Sequence, residues 1–143
     1  MKNLFLCLVA LVLLFPACQS TDAHAKKVAE AKEIVWVSVE EAEQLAAKTP
    51  KKIIMDVYTP WCGPCKMMDR NTFTNPEVIK HVNENFYAVK FNGESGDPVK
   101  FKGKEYANPR FDPNRPSNRR NSPHELTGNL GIRGYPTLVV LDA

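Results

Sequence analysis

Cysteine is scarce in this chain. There are four in 143 residues, and two of them, Cys7 and Cys18, lie in or beside an apolar N-terminal segment. Only Cys62 and Cys65 are left for a folded body, which excludes a small scaffold held by several disulfides. Metal ligands are as few. A tetrahedral zinc site on the two cysteines would need two more donors, and the candidates, His81 and His124, sit on unrelated segments. Covalent haem attachment needs His directly after the second cysteine, where this chain has Lys66. No metal and no other cofactor is expected. Charge of one sign is also lacking. The net charge is +3, carried partly by Lys26, Lys27 and Lys32 and partly by a late basic stretch, so no nucleic-acid partner is expected. No internal repeat is visible. The longest apolar run, Leu4 to Phe15, is too short to span a bilayer comfortably.

That run follows Met1-Lys2-Asn3, a short basic start, and together they read as an export signal. Two ends fit it. Phe15-Pro16-Ala17-Cys18 resembles the lipobox of bacterial lipoproteins, which makes residues 1–17 the signal and Cys18 the lipidated residue. Ala23-His24-Ala25 is an A-x-A site for ordinary cleavage, which extends the signal to 1–25. The first places the protein on the periplasmic side of a bacterial membrane through a lipid anchor. The second leaves it soluble, in the periplasm or secreted. Residues 18–33 read as a polar tether with some helical character.

From residue 34 to 143 there is room for one domain. Ile34-Val35-Trp36-Val37 reads as a short strand. Ser38 caps a helix with Glu41 at the capping-box position and an apolar stripe of Val39, Ala42, Leu45 and Ala46. Ile53 to Tyr58 is a buried strand of β-branched and aromatic residues. Trp61-Cys62-Gly63-Pro64-Cys65-Lys66 follows, then good helix formers. Cys62 therefore falls where a strand ends and a helix begins, and there it is expected to be exposed. Unpaired N–H groups and the helix dipole at that point stabilise a thiolate. A helix from Pro76 to about Asn85 and a strand from Phe86 to Phe91 come next. Residues 93–123, rich in Pro, Asn, Arg and Lys, show no hydrophobic period and read as an inserted loop. A short helix after Pro123, a turn over Gly131 to Pro136 and a strand Thr137 to Leu141 complete the order β-α-β-α-α-β-insert-α-β. Met67 and Met68 are expected in the core, and His81 and His124 on the surface.

These residues resemble the thioredoxin family from about Ile34 onward. Trp61-Cys62-Gly63-Pro64-Cys65-Lys66-Met67 is similar to its active-site signature, Asp56 falls on its buried aspartate, Lys90 on the lysine of the neighbouring strand, and Gly131 to Thr137 on its cis-proline segment. Thr72 to Val78 resembles thioredoxin-like domains of bacterial periplasmic disulfide reductants. The resemblance implies an α/β thioredoxin-like fold: a central mixed sheet flanked by helices. Two departures stand out. Family members have about 30 fewer residues before the cis-proline. The family fold also continues past Ala143 with an edge strand and a helix; a truncated sequence is expected, and one sheet face left bare is the alternative.

By that resemblance Cys62 is the nucleophile and Cys65 resolves the mixed disulfide, the two alternating between dithiol and disulfide. Asp56, beneath Cys65, would accept the proton of the resolving thiol; a strand-end Asp with a local hydrogen bond is the alternative. Lys90 would modulate Asp56 by its charge, or serve as a solubility lysine on an edge strand. Trp61, Gly63, Pro64, Tyr135 and Pro136 would meet substrate, with Pro136 cis and the Tyr135 backbone pairing with an extended segment; a trans turn proline is the alternative. Trp61 would cover the dithiol, a role compatible with packing. The basic run Arg110 to Arg120 reads as solvated loop or partner-docking surface. The implied activity is an exported thiol:disulfide oxidoreductase that reduces protein disulfides and is recharged by an upstream dithiol protein. The alternatives are a disulfide oxidase or isomerase, and a thioredoxin-fold binding module that uses the basic insert.

Overall fold

The computed structural model describes residues 19–142. The export signal and Cys18 lie outside the described residues. Four strands form the main sheet: β1 (Trp36–Val37), β2 (Lys52–Tyr58), β3 (Phe86–Asn92) and β6 (Thr137–Leu141), in the order β1-β3-β2-β6. The first three run parallel, and β6 pairs antiparallel with β2. Helices α1 (Gln19–Ala29), α2 (Val39–Lys48), α3 (Gly63–Asn71), α4 (Pro76–Asn85) and α5 (Glu125–Asn129) surround it. Among the described residues no helix is long and apolar enough to cross a membrane.

The period of two along β2 divides the core. Ile53, Met55 and Val57 point into one cluster with Tyr87, Val89 and Phe91 of β3 and with Val39, Ala42, Leu45 and Ala46 of α2. On the other face Ile54 and Ala88 pack with Ile34, Ile79 and Val82. A parallel strand covered on both sides is apolar on both sides, which is why Ile53 to Val57 reads as continuous hydrophobicity broken only at Asp56. The expected apolar stripe of α2 is the buried one. Its cap is as expected too: Ser38 Oγ accepts the Glu41 N–H at 3.0 Å. Asn75 caps α4 by accepting the Glu77 N–H, with Pro76 in the first turn, where its missing N–H costs nothing.

The insert differs from the expected loop. Its first half is a hairpin, β4 (Val99–Phe101) and β5 (Lys104–Tyr106), turned through Lys102 and Gly103, both with positive φ. Such a turn matches the twist of the strands it joins. Phe101 and Tyr106 are buried in the main core. Glu40 and Glu43 of α2 accept the N–H groups of Lys100 and Lys102, each at 2.8 Å. Three-residue strands are too short for a hydrophobic period to show, although Val99, Phe101 and Tyr106 alternate as a hairpin should.

The second half has no regular structure, but side-chain amides pin it. Buried Asn108 donates to the carbonyls of Ser95 and Ser122 and accepts from Ser122 Oγ. Asn121 exchanges bonds with Asp112 at both its amide atoms. His124, expected on the surface, is 1% exposed. Its Nδ1 accepts the Leu126 N–H as the cap of α5, and its Nε2 lies 3.1 Å from the carbonyl of Asp97. Desolvation holds its pKa below the ordinary value. Met67, expected in the core, is 55% exposed, because the buried side of α3 is the one that carries Cys65.

Candidate active site

β2 ends at Tyr58, and α3 begins at Gly63 with Cys62 as its cap. The chain turns between them through a bond from Cys62 N–H to the Thr59 carbonyl at 3.1 Å. Gly63 and Pro64 fill the first two helical positions, where Pro suits the fixed φ and the lack of an N–H partner. Cys62 and Cys65 are joined as a disulfide. Cys62 Sγ accepts the Cys65 N–H at 3.1 Å. A thiolate there takes the place of a capping carboxylate and gains the same dipole stabilisation. Cys62, expected to be exposed, is not: both cysteines of the disulfide are 2% exposed.

Asp56 is 1% exposed, and neither carboxylate oxygen has a hydrogen-bond partner. The local hydrogen bond considered from sequence is therefore absent. Burial pushes its pKa up, opposed by the charge of Lys90. Lys90 faces Asp56 in the β2–β3 register. Its Nζ lies 3.6 Å from Asp56 Oδ2 and pairs directly with Asp69 of α3. The rings of Trp36, Tyr58 and Phe73 surround the ammonium at 5.2–5.5 Å. The edge-strand alternative for Lys90 does not hold, since β3 is an inner strand.

The Tyr135–Pro136 peptide bond is cis. The Tyr135 ring meets Trp61 edge to face at 5.9 Å, and its hydroxyl donates to the Gly93 carbonyl at 3.3 Å. A side chain at Gly93 would collide with that ring, since a Cβ there would lie 2.6 Å from it.

Sequence reasoning missed Glu94. This residue is 7% exposed. Its Oε2 accepts the Trp61 indole N–H at 2.7 Å and the Asn121 N–H at 2.8 Å. One buried carboxylate thus ties the residue before Cys62 to the end of the insert. Arg120, the neighbour of Asn121, lays its guanidinium 4.7 Å from the Trp61 ring centre. Nothing in Asn92-Gly93-Glu94 distinguishes this glutamate from a loop residue in solvent; only the folded insert supplies its second partner. Among the described residues, no group of three or more His, Cys, Asp or Glu is placed to hold a metal ion.

Residues 39–143 match the family described as the thioredoxin-like domain. Over 68 residues, 46% of this chain, the sequence is 34% identical to thiol:disulfide interchange protein DsbD of Actinobacillus pleuropneumoniae, of which that stretch is 12%. A 42-residue stretch is 45% identical to the DsbD of Haemophilus ducreyi, covering 29% of this chain and 7% of that one. Chloroplastic thioredoxin Y1 of Arabidopsis thaliana is 31% identical over 99 residues, 69% of this chain and 54% of the relative. The matched stretches are thus a small part of the DsbD chains and about half of the thioredoxin. Among solved structures, a DsbH oxidoreductase superposes with a TM-score of 0.53 at 21% identity, over 78% of this chain and 67% of that one. That likeness concerns the fold. The Cys62–Cys65 disulfide lies within the matched residues, and the chain belongs to the thioredoxin-like family.

Proposed function

We propose that the protein is an exported reductant of protein disulfides. The observation that carries this reading is the Cys62–Cys65 disulfide at the start of α3, with Cys62 Sγ accepting a helix N–H. The reduced Cys62 thiolate attacks one sulfur of a substrate disulfide. A mixed disulfide forms, and the departing substrate thiolate takes a proton. Cys65 then gives up its proton, with buried Asp56 as acceptor, and attacks Cys62 Sγ. The second substrate thiol is released and the Cys62–Cys65 disulfide closes. Two electrons and two protons pass to substrate, and an upstream dithiol protein restores the pair. Lys90 modulates Asp56 by its charge, and Trp61, Gly63, Pro64, Tyr135 and Pro136 meet the substrate. Gly-Pro between the cysteines, with no His there, supports the reducing direction.

Export rests on the basic start and apolar run of residues 1–17. Anchoring through Cys18 is the boundary we favour. Cleavage after Ala25 would remove His24, whose ring packs edge to face against Tyr87 at 5.3 Å, whereas cleavage before Cys18 keeps all of α1. The test of activity is insulin reduction with dithiothreitol as the electron source. The wild type is expected to accelerate it and Cys62→Ser to run at the uncatalysed rate. Equal rates would favour a binding module instead.

A further inference from the structure

We infer that the insert forms a cationic rim beside the disulfide and selects substrate segments with acidic residues next to the target cysteine. This inference rests on the redox reading and adds a substrate class to it. Three observations carry it. The first is position. Arg120 stacks over Trp61, which directly precedes Cys62. Arg115 and Arg119 share a cavity of about 160 Å³ with Pro60 and Asn92, so they border the same turn from β2 into α3.

The second observation is unspent charge. Arg115 lies 3.5 Å from Asp112 and donates to the Arg120 carbonyl. Among the described residues Arg119 and Arg120 have no carboxylate partner. All three arginines are exposed. Asp112 offsets only Arg115, and Glu94, which ties Trp61 to Asn121, is buried with its Oε2 already taking two N–H donors. The rim therefore presents positive charge outward.

The third observation is order. A solvated loop would hold its arginines at no fixed place. Here Asn121 is bonded to Glu94 and to both sides of Asp112, and Asn108 closes the base of the loop. The backbone that carries the arginines is thus held relative to the cysteines before substrate arrives, and Arg120 and Arg115 are fixed further by Trp61 and by the Arg120 carbonyl, the preorganisation that fork-shaped recognition of a carboxylate uses. An acidic, extended segment carrying a disulfide is the partner this charge fits.

The test uses the reduced full-length wild type and three synthetic peptides. Each peptide has one internal disulfide, and its cysteines are flanked by Glu, Ser or Lys. The second-order rate of oxidation of the protein by each peptide is followed by tryptophan fluorescence. We expect the Glu peptide to react at least about tenfold faster than the Lys peptide near 20 mM salt, with Ser between them. The ratio should shrink toward about twofold near 0.5 M salt as the charges are screened. Replacing Arg115, Arg119 and Arg120 together by Ser should flatten the preference, and replacing them by Lys should restore most of it. Reaction with all three peptides at rates within twofold, or fastest with the Lys peptide, would overturn the rim while leaving the redox reading intact. Reaction with none would overturn both. The salt dependence of the wild type decides the question even if the triple variant folds poorly.

Discussion

Glu94 accepts the indole N–H of Trp61 across 33 positions of sequence, at 2.7 Å. The same oxygen holds the backbone of Asn121, so the side chain before Cys62 and the far end of the insert are fixed by one group. Glu94→Ala leaves a part-buried indole N–H and a part-buried backbone N–H without this partner. Because both groups are only part-buried, losing the two bonds together should cost about 1–3 kcal/mol, the usual figure for one fully buried unsatisfied group. Chemical denaturation should show a loss in that range, and limited proteolysis should cut the segment 107–123 faster than in wild type. Unchanged stability and cleavage would mean that the bond does not hold the insert.

Gly93 faces the other ring of the site. A methyl group there meets Tyr135 well inside van der Waals distance, and overpacking of this kind costs about 1–3 kcal/mol. Gly93→Ala should lower the unfolding midpoint accordingly and reduce protein-disulfide reduction by displacing Tyr135 from Trp61. A variant with wild-type activity and stability would show that the ring moves aside freely.

The hairpin of the insert belongs to the core. Phe101→Ala should cost about 3–5 kcal/mol, the usual range for emptying a buried aromatic site. A value under about 0.5 kcal/mol, ordinary for a surface change, would place this segment outside the cooperative unit.

Two buried groups set opposite pH trends. The pKa of Asp56 is raised above its ordinary 3.8 by burial. An acid raised in the folded state adds stability that is full below the unfolded value and is lost as pH rises through the folded one. Ionised Asp56 therefore costs stability at neutral pH. Asp56→Asn should stabilise the protein at pH 7.5, with the gain fading in acid, while Lys90 keeps Asp69 as its partner. His124 runs the other way. Its pKa is depressed from the ordinary 6.5 by burial, so its contribution is full above the unfolded value and falls as pH drops toward the folded one. His124→Asn, which keeps a capping acceptor, should flatten the loss of stability below about pH 6.5. Denaturation midpoints across pH 4–8 check both, and a wild-type slope that survives His124→Asn would refute the second.

Much of the fold was legible because its signals are local. Ser38, Asn75 and Pro76 mark helix starts by their own chemistry, and the continuous apolar run of Ile53 to Val57, broken only at Asp56, marks the central strand. The cysteine pair stood out by its spacing at a strand-to-helix turn, and Asp56 through the resemblance to the thioredoxin family. What escaped was set by distant partners. Phe101 and Tyr106 lie in strands too short to show a period, and their burial depends on α2. His124 is buried because Asp97 and Phe91 close over it. Glu94 becomes part of the site only when Asn121 arrives from the far end of a long insert. Met67 failed for the opposite reason: its hydrophobicity is visible, but which face of α3 is buried is decided by the cysteines.

The direction of electron flow is the central claim, and the equilibrium of the Cys62–Cys65 pair with a glutathione redox buffer tests it most directly. A reductant of protein disulfides should have a potential near that of thioredoxin, about −270 mV, whereas a disulfide donor of the DsbA kind lies near −120 mV. We predict a value below about −230 mV for the wild type. A value near −120 mV would contradict the account and make the protein an oxidant.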